Sequence, residues 1–485
     1  MREVVINPIT RLEGHGKITI FLNEEGDVDE AYLQVPELRG FEKFCEGRRA
    51  EDLPIITPRI CGVCPVAHHM ASAKALDAAF NVEPPEPAKK LRELMYCGYY
   101  LYDHTLHFYY LGGPDFVVGP DAPPEKRNVL GVIEKAGLEI GKEVIKHRAY
   151  GQKITEILGG KATHPVSACI PGGFSRPITE EERQEIERMV RSLLEFAKFS
   201  LKLFDDIVLK NPSYVSLVKS EAYTLKTYYM GLVDKNNKVN FYDGNVRVVD
   251  PAGREFIKFS PKEYLDVVEE RVEPWTYVKL PYLKKVGWKG FVGGLESGVY
   301  RVGPLGRLNA ADGMATPLAQ EEYERMYATL GGKPVHYTLA YHWARLIELL
   351  YAAERALELV TDPEITSKNI RGKPDKPGEG VGIVEAARGT LIHHYQLDEN
   401  ALAKKVNLIV ATTHNVPGIC MSIRDAAKGL VKKGKVTDGV LNMIEMAFRA
   451  YDPCFACATH FAGGQMPLEV EIYDSEGRLI QKIKR

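Results

Sequence analysis

Apolar and polar positions alternate one by one near the N-terminus. The alternation covers residues 16 to 22, meets the turn Asn23-Glu-Glu-Gly-Asp27 and resumes over residues 28 to 35. Successive side chains of a strand point to opposite faces of a sheet, so this pattern predicts a hairpin. Residues 467 to 472 alternate in the same way before the turn Asp474-Ser-Glu-Gly477, which predicts a second hairpin near the C-terminus.

Most of the remaining chain repeats its apolar residues every three or four positions, the spacing of one helix face. The spacing predicts helices over residues 66 to 112, 127 to 158, 180 to 210, 317 to 361, 392 to 407 and 436 to 450. Thr179 and Glu182 have the spacing of a capping box, so we expect the third helix to begin just after Thr179.

Residues 213 to 300 differ in composition, with more Tyr, Val, Gly and Pro and short alternating runs such as Val246-Arg-Val-Val249. These features are typical of strands joined by turns. Residues 371 to 382 are rich in Lys, Pro and Gly and predict a loop. The whole pattern predicts a mainly α fold, with a long-helix core, an N-terminal hairpin and a peripheral β-rich insertion.

Charge and hydropathy narrow the class of protein. The formal net charge of -2 comes without any dense block of Lys and Arg, so nucleic acid is not an expected partner. No apolar run approaches the roughly 20 residues of a membrane span, and the N-terminal segment lacks the apolar core of a signal peptide. We therefore expect a soluble protein with no membrane span.

Two cysteine pairs of identical spacing lie near opposite ends of the chain, Cys61-Gly-Val-Cys64 and Cys454-Phe-Ala-Cys457. Four thiolates that converge from two distant segments would hold a soft transition metal. Length alone allows about three domains, but a shared metal needs both ends in one body, so we expect residues 1 to 485 to form a single domain. The remaining cysteines are scattered singly and predict packing roles: Cys45, Cys97, Cys169 and Cys420.

Spacing alone leaves the metal open. Zinc is the default for four cysteines, but a zinc ribbon closes its second pair about 15 to 20 residues after the first. Here the two pairs are 390 positions apart, counted from Cys64 to Cys454. A structural zinc, a redox-active or catalytic metal and two unrelated pairs are all compatible with this spacing.

The residues around the cysteines decide between these readings. Arg59-Ile-Cys-Gly-Val-Cys-Pro-Val-Ala-His68 and Asp452-Pro-Cys-Phe-Ala-Cys-Ala-Thr-His460 together resemble the paired signature of the nickel-iron hydrogenase large subunits. Further segments of that family occur in the same order: Arg11-Leu-Glu-Gly-His15, Arg39-Gly-Phe-Glu42, His107-Phe-Tyr-Tyr-Leu111 through Asp115, Gly159-Gly-Lys-Ala-Thr-His-Pro165, Glu385-Ala-Ala-Arg-Gly389 and Thr412-Thr-His-Asn415. The resemblance spans the chain and implies the large-subunit fold and the reversible heterolytic cleavage of H2 to protons and electrons.

The resemblance also implies the cofactor, a nickel-iron centre whose iron carries carbon monoxide and cyanide. Cys61 and Cys454 match the terminal thiolates on nickel, and Cys64 and Cys457 match the thiolates that bridge nickel and iron. Soft sulfur ligands suit nickel, and a terminal thiolate can take the first proton. Arg59, next to the first pair, would tune the basicity of the thiolates.

Besides the bridging Cys457, four residues acquire catalytic roles from the resemblance. Glu13 matches a glutamate linked to proton transfer. Arg388 would lie over the open side of the metals, pair with Asp115 and Asp452, and donate hydrogen bonds toward the cyanides of the iron. Without the resemblance, Glu13, Asp115 and Asp452 would each be interpreted as an ordinary ion-pair partner or loop residue.

A second metal is implied near the C-terminus. Glu42 and His460 match the ligands of a buried divalent ion, usually magnesium, which in the family is structural and part of the proton route. Without the resemblance, Glu42 would be read as a solvated surface glutamate. His68, within the cofactor site, would donate a hydrogen bond to a thiolate rather than bind metal. Structural roles are expected for the histidines His104, His393 and His394.

The electrons from H2 must leave the nickel, but no remaining set of cysteines could bind an iron-sulfur cluster to carry them. The chain therefore needs a partner that carries such clusters. The resemblance implies an iron-sulfur small subunit on a large apolar interface. It also implies a maturation endopeptidase that removes residues 461 to 485 once nickel is in place.

The chain resembles the cytosolic members, including those of methanogenic archaea, in its length and in His414, where many membrane-exported members have tryptophan. This resemblance implies a cytoplasmic location. We favour the type that passes electrons, through an electron-transfer subunit, to a heterodisulfide reductase complex.

Alternatives stay open at the level of both the acceptor and the class of protein. The chain could instead be the large subunit of a hydrogenase that reduces a deazaflavin coenzyme or NAD(P). It could be a zinc-stapled structural protein, whose metal would separate it from a hydrogenase. It could also be a silent relative with the fold of the quinone-site subunit of respiratory complex I. Such a relative lacks the four cysteines, so their presence is an argument against it.

Overall fold

Long helices form the centre of the fold. The computed structural model describes residues 2–7, 9–459, 469–473 and 479–484. In chain order the α-helices are α1 (Phe41–Cys45), α2 (Leu53–Ile56), α3 (Pro65–Ala79), α4 (Glu86–Leu106), α5 (Pro114–Val117), α6 (Val129–Ala136), α7 (Leu138–Gly159), α8 (Glu180–Phe204), α9 (Pro212–Val218), α10 (Tyr264–Val267), α11 (Gly303–Ala310), α12 (Pro317–Leu330), α13 (Tyr341–Thr361), α14 (Ala411–Leu430), α15 (Asp438–Arg449) and α16 (Phe455–Ala458). The π-helical turns His107–Gly112 and Asp205–Leu209 extend α4 and α8.

Most of the predicted helices are confirmed, although several divide in two. The first predicted helix becomes α3 and α4, the second α6 and α7, and the fourth α12 and α13. The third begins after Thr179 as predicted, because the Thr179 hydroxyl accepts a hydrogen bond from Glu182 N at 3.2 Å. The Glu182 carboxylate in turn accepts one from Thr179 N at 2.9 Å. This reciprocal capping box satisfies two otherwise unpaired backbone donors.

The helix predicted over residues 392 to 407 is wrong. That segment lies in an antiparallel meander of three strands, β12 (Glu379–Ala386), β13 (Gly389–Leu397) and β14 (Ala403–Ile409). A turn at Asp398 separates the last two strands, and the Asp398 carboxylate accepts a hydrogen bond from Leu402 N at 2.8 Å. Periodicity alone cannot distinguish short apolar strands from a buried helix. The predicted loop over residues 371 to 382 likewise ends early, where β12 begins.

Helix α14 was not predicted from the sequence. It is almost entirely buried and contains Pro417 in its interior. Proline lacks the backbone N–H that an interior helical residue donates, so its presence is a sequence signal against a helix. Burial against the strands β3 and β10 and the helix α15 outweighs that cost here.

The other strands form small sheets around the helices. The predicted N-terminal hairpin is confirmed as β2 (Lys17–Leu22) and β3 (Val28–Gln34), with β1 (Arg2–Ile6) paired to β2. The predicted β-rich insertion is also confirmed. Its strands are β6 (Tyr228–Val233), β7 (Asn245–Val249), β8 (Glu255–Phe259), β9 (Val268–Arg271), β10 (Leu280–Leu283) and β11 (Tyr300–Arg301). The short strands β4 (Cys169–Ile170) and β5 (Gly173–Phe174) pair with each other.

The C-terminal residues are described only in part. The strands β15 (Glu469–Tyr473) and β16 (Leu479–Lys484) pair antiparallel, as the predicted C-terminal hairpin requires. His460 and the turn at residues 474 to 477 lie outside the described residues.

One large hydrophobic core joins the two ends of the chain. Its buried residues range from Ile6 in β1 to Ala458 in α16 and include all four cysteines of the two pairs. The four single cysteines, predicted to pack, are buried as well. Within the described residues, no helix is long and apolar enough to cross a membrane.

Candidate metal centre

The predicted convergence of the two cysteine pairs is confirmed. The Sγ atoms of Cys61, Cys64, Cys454 and Cys457 all lie within 4.8 Å of one another, and all four residues are buried. Cys61 faces Cys454 at 3.3 Å, and Cys64 faces Cys457 at the same distance. Each pair therefore contributes one sulfur to each side of the cluster.

The first pair lies where a 3-10 turn, Thr57–Ile60, gives way to α3. Cys64 occupies the N-cap position of α3, and Pro65 follows as its first residue, where a missing N–H costs nothing. The Cys61 sulfur accepts hydrogen bonds from Val63 N at 3.2 Å and Cys64 N at 3.3 Å. Backbone donors of this turn thus stabilise negative charge on Cys61.

The second pair is attached to the N-terminal segment by backbone contacts. Phe455 N donates to the carbonyl of Glu13 at 3.0 Å, next to a parallel bridge between Glu13 and Cys454. Gly14, at φ +85°, leaves room for this approach, because a Cβ there would lie 2.8 Å from Ala456 N. The glycine of the Arg-Leu-Glu-Gly-His segment is therefore required by the close approach of the two chain segments.

Burial limits how many of the four sulfurs can be ionised together. Burial disfavours a thiolate at Cys61, yet hydrogen bonds from the other three thiols hold its pKa well below the usual value. Burial raises the pKa of Cys454 and Cys457 well above the usual value. Four thiolates in so small a buried volume repel each other, so their joint ionisation requires a cation among them.

The geometry of the sulfurs fits bound metal. A thiolate sulfur lies about 2.3 Å from zinc, so two sulfurs on one such ion are at most about 4.6 Å apart. The observed spread of up to 4.8 Å suits one ion or a close pair of ions. The donor set of four thiolates favours a soft metal.

Glu13 is in direct contact with this cluster. Its Oε2 atom lies 2.9 Å from the Cys454 sulfur and accepts a hydrogen bond from Ala456 N at 3.1 Å. Burial raises the pKa of Glu13, and the neighbouring charge of Cys61 raises it further. A carboxyl group with a raised pKa next to a thiol can exchange a proton with it.

His68 lies in the second turn of α3, beside the second pair. Its Nε2 atom is 3.8 Å from the Cys457 sulfur, and its Nδ1 atom is 3.1 Å from Nε2 of His393. His393 continues the chain to the hydroxyl of Tyr395 at 2.7 Å. The structure therefore places His68 where a thiolate donor was expected, and it adds His393, which was assigned only a structural role.

Arg388 is close enough to the cluster for its charge to act on the cysteines, but one of its expected partners is wrong. Its guanidinium donates to Asp103 at 3.0 Å and lies 2.9 Å from Oδ2 of Asp452. Asp115 does not contact Arg388. Burial opposes ionisation of Asp452 and raises its pKa to about 7, even beside Arg388.

Asp115 belongs to a different buried cluster. It pairs with Arg11 and Arg449 and accepts a hydrogen bond from Asn442 at 3.1 Å. Burial opposes ionisation of Asp115, but Arg449 and Arg11 hold its pKa below the usual value. Because Arg11 is two residues from Glu13, Asp115 fixes the N-terminal segment rather than the guanidinium above the cysteines.

Two further expectations concern residues at the edge of the site. Arg59, expected to tune the thiolates, is exposed, and its carbonyl accepts a hydrogen bond from Arg39 at 3.4 Å. The guanidinium beside the sulfurs is that of Arg388 instead.

Glu42 is buried, not solvated, and its carboxylate accepts a hydrogen bond from Leu408 N at 2.7 Å. Burial raises the pKa of Glu42.

Asp103 was missed from the sequence because it lies inside the long helix α4. A weak signal was available, since Tyr96, Tyr99, Tyr100 and Asp103 recur at helical spacing on one face. A polar stripe on a helix that is otherwise buried indicates partners inside the protein.

Comparisons with known proteins agree with the site. The family model for nickel-dependent hydrogenases matches residues 39–123 and 293–460. A second model, described as HoxL-like, matches residues 3–38. The two matches include both cysteine pairs, Glu13, Asp103 and Arg388.

Relatives of similar length extend these matches over the whole chain. A protein of Archaeoglobus profundus, named as an iron-sulfur subunit of an F420-non-reducing hydrogenase, is 50% identical over 486 residues and covers 100% of both chains. The beta subunit of the NAD-reducing hydrogenase HoxS of Cupriavidus necator is 40% identical, again over 100% of both chains. A crystal structure of an NAD+-reducing [NiFe]-hydrogenase in the H2-reduced state has a TM-score of 0.89 at 38% identity. It covers 95% of this chain and 100% of that one.

Proposed function

The chain belongs to the family of nickel-dependent hydrogenases as the catalytic large subunit of a nickel-iron hydrogenase, and we propose how its residues divide the reaction and where the electrons go. The electrons of H2 pass to iron-sulfur clusters of a small subunit, then through an electron-transfer subunit to a heterodisulfide reductase complex. The observation that carries the proposal is the buried cluster of four thiols within 4.8 Å of one another.

The four cysteines would hold the nickel-iron centre. Cys61 and Cys454 would supply thiolates to nickel alone, and Cys64 and Cys457 would supply thiolates shared between nickel and an iron carrying carbon monoxide and cyanide. When bound, this centre supplies the electron-poor metals that polarise H2 for heterolytic cleavage. The pairing of Cys61 with Cys454 and of Cys64 with Cys457 supports this division of roles.

Proton transfer begins at a thiol and a carboxylate. The sulfur of Cys454 receives the proton and passes it to Oε2 of Glu13, which lies 2.9 Å away. Burial raises the pKa of Glu13, which favours uptake of a proton by its carboxylate. The Ala456 amide, which donates to the same oxygen at 3.1 Å, keeps the carboxylate facing the sulfur.

Arg388 covers the open side of the cluster. Its guanidinium is buried and is neutralised by Asp103 and Asp452. A fixed cation in a water-excluded site is a strong hydrogen-bond donor to anionic ligands such as cyanide. His68 lies beside Cys457, with its Nε2 atom 3.8 Å from the sulfur, and its imidazole would donate to that sulfur.

A magnesium ion would be held by Glu42 and His460. The buried carboxylate of Glu42 suits a hard divalent cation, which prefers oxygen ligands. The Glu42→Gln variant tests this role, because it should lower the magnesium content of the purified enzyme without changing its nickel. Unchanged magnesium would remove Glu42 from the metal site.

The small subunit would dock where the first cysteine pair reaches the surface. Gly62, between Cys61 and Val63, is exposed, and a Cβ there would meet no atom within 4 Å. Leu38, Ile55 and Val166 are exposed apolar residues on neighbouring segments. Arg39 and His164 connect these segments to the pair, through hydrogen bonds to the carbonyls of Ile60 at 2.5 Å and Cys61 at 3.0 Å.

This face is testable with a charge placed in its centre. The Gly62→Glu change should prevent assembly with the small subunit, and it should abolish reduction of a dye that takes electrons from the clusters there. Leu265 in α10, which is exposed and has no positive φ, offers a control at Leu265→Glu. Normal assembly of the Gly62→Glu chain would place the small subunit elsewhere.

Several relatives are named F420-non-reducing hydrogenases, and this supports an acceptor other than the deazaflavin coenzyme. The 40% identity with the NAD-reducing enzyme keeps NAD as a second candidate. The test is H2-dependent reduction by the purified complex, assayed separately with heterodisulfide reductase and its substrate, with NAD and with the deazaflavin. Reduction of NAD alone would overturn the preferred acceptor. A cytoplasmic location stays a prediction.

Maturation would remove residues 461 to 485 after nickel insertion, through a dedicated endopeptidase. The ion pair of Arg388 with Asp452 and the contact of Glu13 with Cys454 both depend on the final position of the C-terminal segment. Removal of the tail would let that segment close over the metals. The mass of the active chain tests this, because it should equal the mass of a chain that ends at His460.

A further inference from the structure

Arg388 lies in a tight turn whose backbone N–H and carbonyl groups form hydrogen bonds mainly with side chains. The turn joins β12 to β13, and only Ala387 and Arg388 separate the last paired residues, Ala386 and Gly389. Gly389 has φ +136°, and a Cβ there would lie 2.1 Å from Cγ2 of Val302. The turn is therefore packed against its surroundings without space for adjustment.

One face of α4 holds this turn through three hydrogen bonds to two backbone groups. The hydroxyls of Tyr96 and Tyr100 both donate to the carbonyl of Glu385 at 2.6 Å. The Tyr99 hydroxyl accepts a hydrogen bond from Ala387 N at 3.0 Å. Residues three and four apart share a helix face, so the three hydroxyls reach the turn together.

The same face also holds the tip of Arg388. Asp103 follows Tyr99 by four residues, and its carboxylate accepts the hydrogen bond from the Arg388 guanidinium at 3.0 Å. Helix α4 thus fixes both the backbone from which the side chain starts and the group in which it ends. A long side chain held at both ends loses most of its rotamer freedom.

Two residues from other elements hold the opposite side of the turn. Arg307, in α11, donates to the carbonyls of Ala386 at 2.8 Å and Ala387 at 3.2 Å. Asn415, in α14, donates to the carbonyl of Arg388 at 3.2 Å. Arg307 is itself neutralised by two buried carboxylates, those of Glu348 and Glu385.

We propose that Tyr96, Tyr99 and Tyr100 are positioning residues. They hold the turn, and with it the guanidinium of Arg388, in the position that the metal centre requires. This inference rests on the proposed function, because it concerns the same site. The hydrogen bonds of the three hydroxyls go to the backbone of the turn and not to a cysteine sulfur. A displacement of about 1 Å at a catalytic group lowers turnover by roughly 100-fold.

The test is the triple variant Tyr96→Phe, Tyr99→Phe and Tyr100→Phe, in the complex with the small subunit. The rings stay, including the stacking of Tyr100 on Phe241 at 3.7 Å between centroids. Only the hydrogen bonds to the turn are lost. The single change Tyr99→Phe serves if the triple variant does not fold. Tyr109→Phe is the matched control, since that buried hydroxyl bonds to Ser200, away from the turn.

Three measurements separate positioning from general destabilisation. The infrared bands of carbon monoxide and cyanide should shift in the triple variant and stay unchanged in Tyr109→Phe. Amide exchange at Ala387 should become about tenfold faster in Tyr99→Phe, because that N–H loses its acceptor. H2 turnover should fall about 100-fold in the wild-type background. It should fall less than about twofold further in an Arg388→Lys background, because coupled residues are not additive.

The outcomes distinguish this inference from the proposed function. Absence of carbon monoxide and cyanide bands in the wild-type complex would overturn the proposed function and the positioning role with it. Normal wild-type bands, together with unchanged bands and exchange in the triple variant, would overturn the positioning role alone. Full additivity with Arg388→Lys would also contradict it, since the tyrosines would then act through another group.

Discussion

The sulfur of Cys454 lies 2.9 Å from Oε2 of Glu13, a residue 441 positions earlier in the chain. The contact joins the N-terminal segment to the last cysteine pair and gives a buried thiol a carboxylate as its immediate neighbour. Because the backbone of Glu13 also accepts a hydrogen bond from Phe455 N, the carboxylate has little freedom to move away.

Replacement of Glu13 by glutamine should block proton transfer while it preserves the site. The amide oxygen can still accept from Ala456 N, but the group can no longer take up a proton. Loss of a general base lowers turnover by about 100-fold to 10,000-fold. We expect a decrease in this range, with nickel and iron content unchanged, measured by metal analysis and H2-dependent dye reduction.

The matched control is Glu354→Gln, another buried glutamate that accepts hydrogen bonds at the start of α12, including one from Ala319 N at 2.8 Å. It should retain activity. Full activity of Glu13→Gln would mean that protons leave by another route.

Loss of one bridging thiol should remove the metals. In Cys457→Ser we expect no H2 turnover and little bound nickel or iron, because a hydroxyl is a poor ligand for soft metals. Cys97→Ser is the control, since Cys97 is buried in α4 away from the cluster. A Cys457→Ser enzyme that keeps its nickel and its activity would be incompatible with the proposed ligand set.

The two aspartates Asp103 and Asp115 should behave differently when neutralised. Asp103→Asn weakens the ion pair with Arg388, so turnover should fall at least about tenfold and the infrared bands should shift. Asp115→Asn removes the counter-charge of the half-buried Arg11 and leaves the buried Arg449 with Glu445 as its remaining partner, which should lower the free energy of unfolding by about 3 kcal/mol. Urea unfolding and infrared spectra of both variants check this. Unmoved bands in Asp103→Asn would contradict the pairing.

Acid should destabilise the protein through buried neutral histidines. Burial lowers the pKa of His69 and of His104 to about 4 and that of His342 to about 3. The unfolded chain binds these protons near pH 6.5 and the folded chain does not. Stability is therefore fully present above about pH 6.5 and declines as the pH falls toward 4, by on the order of 3 kcal/mol per histidine.

The urea midpoint between pH 7.5 and 5 measures this decline. His69→Gln should flatten it, because one of the titrating groups is gone. His15→Gln should not, because a hydrogen bond to Glu37 raises the pKa of His15 and gives the opposite slope. A midpoint independent of pH in the wild-type protein would show that the buried histidines do not govern acid stability.

The sequence was sufficient to predict the cluster of thiols, since the two identical pairs and their flanking residues specify that site. It was not sufficient to pair Arg388 correctly. Asp115 has the right residue type, but its carboxylate is already used by Arg11, Asn442 and Arg449. Asp103 pairs with Arg388 instead because α4 places it one turn from the tyrosines that bind the same loop.

The errors in secondary structure have related causes. Residues 392 to 407 contain apolar positions at helical spacing, but pairing with β12 and the turn at Asp398 make them strands. In α14, Pro417 argued against a helix that burial nevertheless stabilises. Both outcomes depend on neighbours distant in sequence, which periodicity does not include.

An infrared spectrum of the chain purified with its small subunit tests the nickel-iron centre most directly. Bands of metal-bound carbon monoxide and cyanide should appear and should shift under H2. The mass of the same chain should show that it ends at His460. A chain that lacks residues 461 to 485, contains zinc and shows no such bands would contradict the assignment of the four cysteines to nickel and iron.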